Sequence, residues 1–112
     1  MIDQVGLERM IREEAAESKE FSKRKNDRRF LVSDSTARNA LRYFNLFTDE
    51  VKSKTGFSVN TLPEMNSSYE GGMIFYIGNK QIEAFIQVSP VNGANYSFRF
   101  MGREYEGKLK LN

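Results

Sequence analysis

Eight cations fall between residues 19 and 42: Lys19, Lys23, Arg24, Lys25, Arg28, Arg29, Arg38 and Arg42. Lysines and arginines at this density can neutralise nucleic-acid phosphates, with an affinity that falls steeply as salt is added. The same run also reads as a solvated linker between helices, and the acidic stretch before it would oppose a polyanion. A second group of residues offers contact rather than charge. Ile74, Tyr76, Phe85, Arg99 and Met101 share one side of the strands in the alternating C-terminal half, with Lys108 and Lys110 around them. Such a face can seat a protein partner on an apolar patch rimmed by charge, or stack single-stranded bases. A third candidate is the polar stretch Glu64 to Gly72, read as a mobile loop with Tyr69 at its centre.

The composition points away from catalysis. The chain holds no histidine and no cysteine, so the common neutral-pH acid–base, the common metal ligand and the thiolate nucleophile are all missing. Serine hydrolase and metal-binding motifs are absent from the sequence, and its glycines lack phosphate-loop or dinucleotide spacing. No catalytic, metal or cofactor residue is therefore assigned. The chain reads as a non-enzyme.

These residues have to be positioned by something, and the periodicities say what. Gly72 to Pro90 sets the frame, with Met73–Ile77 and Ile82–Val88 as strands around a Gly78-Asn79 turn signal. A two-residue loop pairs Phe75 with Ile82, and a four-residue loop pairs Ile77 with Ile82. Either puts Met73, Phe75, Ile77, Ile82, Ala84, Ile86 and Val88 on a dry face and Ile74, Tyr76, Glu83, Phe85 and Gln87 on the reverse. Further along, Tyr96, Phe98 and Phe100 alternate with polar residues, as do Tyr105, Leu109 and Leu111. A turn at Gly102-Arg103 pairs Phe100 with Tyr105 and Arg99 with Glu106. Matching the dry faces across Val91-Asn92-Gly93-Ala94 demands an odd-length loop with Gly93 in a left-handed conformation. Phe57, Val59 and Thr61 form an earlier edge strand stopped by Leu62-Pro63.

Two helices precede the strands. Residues 3 to 25 contain good helix formers with Glu8/Arg12 and Glu20/Arg24 at ion-pair spacing, but an apolar stripe of only Leu7, Met10, Ile11 and Ala15. The second half of this helix is expected to project from the body or to pack on something else: a symmetry mate, a partner or nothing at all. A second helix runs from Ser35 to Lys54, closed by Gly56, with Ala37, Ala40, Leu41, Phe44, Phe47 and Val51 facing the sheet and Tyr43 and Leu46 on a flank.

One hundred and twelve residues at 39% hydrophobic support one domain with a modest core. The net charge of +2 hides a dipole: residues 1 to 18 carry five acids against two bases, and residues 19 to 30 carry six bases against two acids. No apolar run is long enough to span a membrane and no signal-peptide pattern opens the chain, so it reads as soluble and cytoplasmic. The fold expected is α+β, two N-terminal helices followed by a four- to five-stranded antiparallel meander, with the second helix packed on one sheet face. The function expected is a non-catalytic protein-interaction module working through the charged first helix and the exposed sheet face. The alternative is a nucleic-acid-binding accessory protein using residues 19 to 42.

Overall fold

A computed structural model describes residues 2–91 and 93–111. Helix α1 spans Gln4–Lys25 and α2 spans Asp34–Thr55, joined through a single 3-10 turn at Arg28–Phe30. Five strands follow: β1 (Glu64–Ser67), β2 (Met73–Gly78), β3 (Ile82–Val88), β4 (Ala94–Phe100) and β5 (Arg103–Leu109). They form one antiparallel sheet in the order β1-β2-β3-β4-β5. This is the expected meander beneath a second helix.

Each helix begins and ends where local chemistry allows it. The Asp3 carboxylate accepts the Gly6 N–H at 3.0 Å to start α1, and Ser33 Oγ accepts the Thr36 N–H at 3.1 Å to start α2. Asn26 (φ 51°) and Gly56 (φ 77°) close them in left-handed conformations. Ala40, Phe44, Phe47 and Val51 then bury the inner side of α2 against the sheet. Phe44 meets Phe75 of β2 at 5.3 Å between ring centroids, and Phe47 meets Tyr96 and Phe98 of β4 at 5.7 and 5.8 Å. Tyr43, expected on a flank, is also buried.

The dry face is the one the alternation demands, but two registers differ from those expected. In the β2–β3 hairpin Ile77 lies opposite Ala84 and Phe75 opposite Ile86. The cause is Asn79, whose side-chain carbonyl accepts the N–H groups of Gln81 and Ile82 at 2.8 and 2.9 Å and so widens the turn. In the β4–β5 hairpin the turn is Met101-Gly102, both at positive φ, so Phe98 faces Tyr105 and Arg99 faces Glu104. Both shifts are even-numbered, which leaves every side chain on its expected face. The β3–β4 connection, Ser89 to Gly93, is odd in length with Gly93 at φ 83°, as the matching of dry faces requires. Asn92 within it lies outside the described residues.

Three expectations are corrected. Residues 57–61 form no strand. Phe57 instead packs on Phe100 at 5.1 Å, Val59 enters the core, and the place beside β2 goes to Glu64–Ser67. The stretch 64–72 is accordingly not a loop but β1 and a short 3-10 turn at Tyr69–Gly71. The side chain of Tyr69 lies outside the described set. Besides its ladder to β2, β1 is tied to α1: the Glu14 carboxylate accepts the Ser67 N–H at 2.7 Å on the strand's outer edge. Finally, α1 does not project. Ser18 is 1% exposed, and its Oγ donates to the Ala15 carbonyl at 2.7 Å and accepts the Val32 N–H at 3.0 Å. Ser22 Oγ donates to the Asp27 carbonyl at 2.8 Å, and Phe21 meets Phe30 edge-on at 4.9 Å. The second half of the helix is pinned to the chain that follows it.

One contact across the core carries a pH dependence. The Tyr96 hydroxyl donates to Glu50 at 3.1 Å, and partial burial, followed by that carboxylate, raises the phenol above its ordinary range. The folded state thus holds this proton more tightly than the unfolded chain. Its contribution is complete below the ordinary tyrosine value of about 10 and is lost as pH rises through the folded one. Urea titrations between pH 8 and 11 should show Tyr96→Phe declining less steeply above pH 10 than the wild type, and identical slopes would contradict this assignment.

Candidate interaction surface

The outer face of the sheet is built from three rows of side chains running across the strands. One row reads Glu64, Tyr76, Phe85, Ser97, Glu106; the next reads Asn66, Ile74, Gln87, Asn95, Lys108; the third reads Gly78, Glu83, Arg99, Glu104. Neither helix covers them. Glu83, Phe85, Gln87, Asn95, Ser97, Arg99, Glu104, Glu106 and Lys108 are all exposed.

Near the middle of this face Tyr76 and Phe85 sit opposite one another on β2 and β3, ring centroids 4.8 Å apart and planes inclined by 46°. Phe85 is 49% exposed, and Ile74 and Tyr76 are half-buried beside it. A large aromatic standing in solvent on a flat sheet exposes apolar area that a partner could cover.

Charge around the pair has the opposite sign to that expected. Glu64, Glu83, Glu104 and Glu106 outnumber Arg99 and Lys108 on the outer rows, so the rim is acidic. Arg99 is not free to meet an anion: its guanidinium bonds Glu104 at 2.6 Å and lies opposite Glu83. The Glu104 hydrogen bond, with the attraction of both carboxylates, holds its pKa above the usual arginine value. Stacking of nucleic-acid bases on this face would bring phosphates toward carboxylates. Met101 belongs elsewhere: at 85% exposure and φ 51° it occupies the β4–β5 turn instead of a strand position beside Phe85.

The eight cations of residues 19 to 42 are all exposed but do not form one patch. Arg24 and Lys25 stand over the Phe21 ring at 5.9 and 6.0 Å, at the C-terminal end of α1, where cations also complement the helix dipole. Arg29 is held by Asp27, its Nη2 2.7 Å and its Nε 3.0 Å from the carboxylate oxygens and its backbone N–H donating to the same group at 3.0 Å, and these bonds keep the Asp27 carboxyl below its usual value. Lys19 and Arg38 both line a cleft between α1 and α2, of about 810 Å³, that Ile11, Ala15, Val32, Ala37 and Leu41 also line. Glu8, Arg12 and Asp34 line it too, so both signs of charge are present. Arg42 lies apart, beside Asp49 and Lys110.

No family model, curated protein or solved structure matches this chain. Among the described residues no cluster of three or more carboxylates could hold a metal ion, and no helix is long and apolar enough to cross a membrane. The residues that sequence reading missed on the outer face are Glu64 and Asn66, hidden because β1 has no apolar alternation. Glu104 and Glu106 were visible there, but their weight against Arg99 emerges only from the register.

Proposed function

We propose that this chain is a non-catalytic protein-interaction module that seats a partner on its outer sheet face, with Tyr76 and Phe85 as the anchor. The observation that carries this reading is the Tyr76–Phe85 pair, half in solvent on a face that neither helix covers. Aromatic anchors ringed by polar groups dominate protein–protein interfaces, and the acidic rim of Glu64, Glu83, Glu104 and Glu106 fits a partner that presents basic residues around an apolar centre. The outward charged face of α1 is the second part of the proposed surface.

The test is comparative capture from the native host with three baits: wild type, Phe85→Ala and Lys23/Arg24/Arg28→Ala. A partner retained by wild type and the triple variant should be lost at least about tenfold with Phe85→Ala, the effect of removing one anchor of roughly 1.4 kcal/mol or more. Equal retention by Phe85→Ala would refute the sheet-face reading. Retention of DNA or RNA at low salt, abolished by the triple variant, would replace it with nucleic-acid binding through the basic segment.

A further inference from the structure

The two edges of the sheet are treated differently. β1 has its Ser67 N–H engaged by Glu14 of α1, whereas β5 pairs with β4 on one side and, among the described residues, with no strand on the other. Exposed edges in natural proteins are blunted by proline, by bulges, by covering elements or by charge, because unpaired N–H and C=O groups recruit further strands. β5 carries no proline, and its ladder to β4 runs unbroken from Arg103 to Leu109. It carries charge, but in a particular order.

From residue 104 the chain reads Glu-Tyr-Glu-Gly-Lys-Leu-Lys. Laid antiparallel against itself about Gly107, this segment meets its complement at every position. Glu106 of each copy faces Lys108 of the other, Glu104 faces Lys110, Tyr105 faces Leu109, and glycine faces glycine. The Glu106–Lys108 pairs fall on the outer face and the Tyr105–Leu109 pairs on the inner one, where the fold already places these residues, while the Glu104–Lys110 pairs need Lys110, now beside Arg42 and Asp49 of α2, to join the strand. Moving the two-fold axis by one residue to Glu106 or Lys108 keeps two attractive pairs but sets that residue against its own copy, a like-charge contact that the Gly107 register avoids. Centring it between residues turns the helical layers to opposite sides of the sheet.

Other features fit this arrangement. Glu106 and Lys108 make no ion pair within the chain among the described residues, and lie opposite the uncharged Ser97 and Asn95. Across the two-fold the third outer row would continue as Glu83, Arg99, Glu104 and then Lys110 of the second copy, alternating in sign. Gly107 is itself required by the ring of Tyr96 on β4, since an added Cβ would come within 2.7 Å of the Tyr96 hydroxyl. A shallow groove containing the half-buried Leu46 and Leu111 opens at the same side of the molecule.

We propose that two copies of this chain pair through their β5 edges, about a two-fold axis at Gly107, to form a continuous ten-stranded sheet. The pairing asks β5 to extend one residue, to Lys110. It is an isologous contact, so each side chain choice is used twice.

Sedimentation equilibrium from micromolar to millimolar protein tests this, with Lys108→Glu, Glu106→Lys and the double swap Glu106→Lys/Lys108→Glu. The wild type should be dimeric. Each single reversal replaces two attractive pairs by two repulsive ones and should raise the dimer dissociation constant at least about tenfold. The double swap restores opposite charges in the same register and should return the wild-type value. Mixing the two single variants should give a heterodimer. Both substituted positions are exposed, and circular dichroism melts show whether each variant is folded. A wild type that is monomeric at millimolar concentration overturns the proposal, as does a dimer indifferent to either reversal. A dimer weakened by the single changes but not rescued by the swap overturns the register at Gly107.

Discussion

Replacing Phe47 by alanine should lower the free energy of unfolding by about 3–5 kcal/mol, the range for emptying a fully buried aromatic site. Phe47 has no solvent exposure and touches three rings: Phe44 on its own helix at 6.1 Å, and Tyr96 and Phe98 on β4. Phe98 in turn stacks on Tyr105 of β5 at 4.6 Å with planes only 13° apart. A cavity under Phe47 therefore loosens α2, β4 and β5 together. A domain of this length has a total stability on the order of 5–15 kcal/mol, so the change removes a large share of it. Phe47→Leu keeps most of the apolar volume and should cost roughly 1–2 kcal/mol. Urea unfolding followed by far-ultraviolet circular dichroism measures both. A loss below about 1 kcal/mol for the alanine variant would mean that α2 does not anchor on the sheet as described.

The second large effect is expected at Ser18. Alanine there removes the hydroxyl that accepts the Val32 N–H and donates to the Ala15 carbonyl. Val32 is buried, so its N–H would be left without water or a partner, at a cost of about 1–3 kcal/mol. The effect should be local as well as global. Amide exchange should accelerate at Val32 and through residues 26–32, because the chain after α1 would lose its buried tie to Ser18. Unchanged protection at Val32 in Ser18→Ala would show that the helix is held by something else.

These two residues also show what could and could not be read in the sequence. Phe47 belongs to a stripe at helical spacing, and its burial follows from hydropathy and period alone. Ser18 belongs to no stripe. A small polar side chain that fastens a helix through one buried hydrogen bond leaves no periodic trace, which is why α1 seemed to lack support beyond Ala15. β1 was hidden for a related reason: Glu-Met-Asn-Ser carries no alternation, and its support comes from pairing with β2 and from Glu14, fifty-three positions away from the Ser67 it binds. The strand faces were legible because parity survives any even shift of register. The shifts themselves came from Asn79, whose side chain claims two backbone N–H groups, and from Met101, a residue rarely found at positive φ.

On the outer face, Tyr76 and Phe85 were identifiable from alternation alone, while the sign of the surrounding charge was not. It required knowing that Glu64 sits on a strand and that Arg99 lies opposite Glu104 instead of Glu106.

The carboxylate of Glu14 at the rim of β1 has a bearing on how large any assembly can become. With that border occupied by a side chain from its own molecule, strand addition is available on one flank only. Head-to-tail stacking, in which the last strand of each molecule docks on the first strand of the next, is blocked at its receiving end. If the β5 edges pair as proposed, growth by strand addition would then stop at a pair, since the Glu14 carboxylate already engages the outward Ser67 N–H at 2.7 Å.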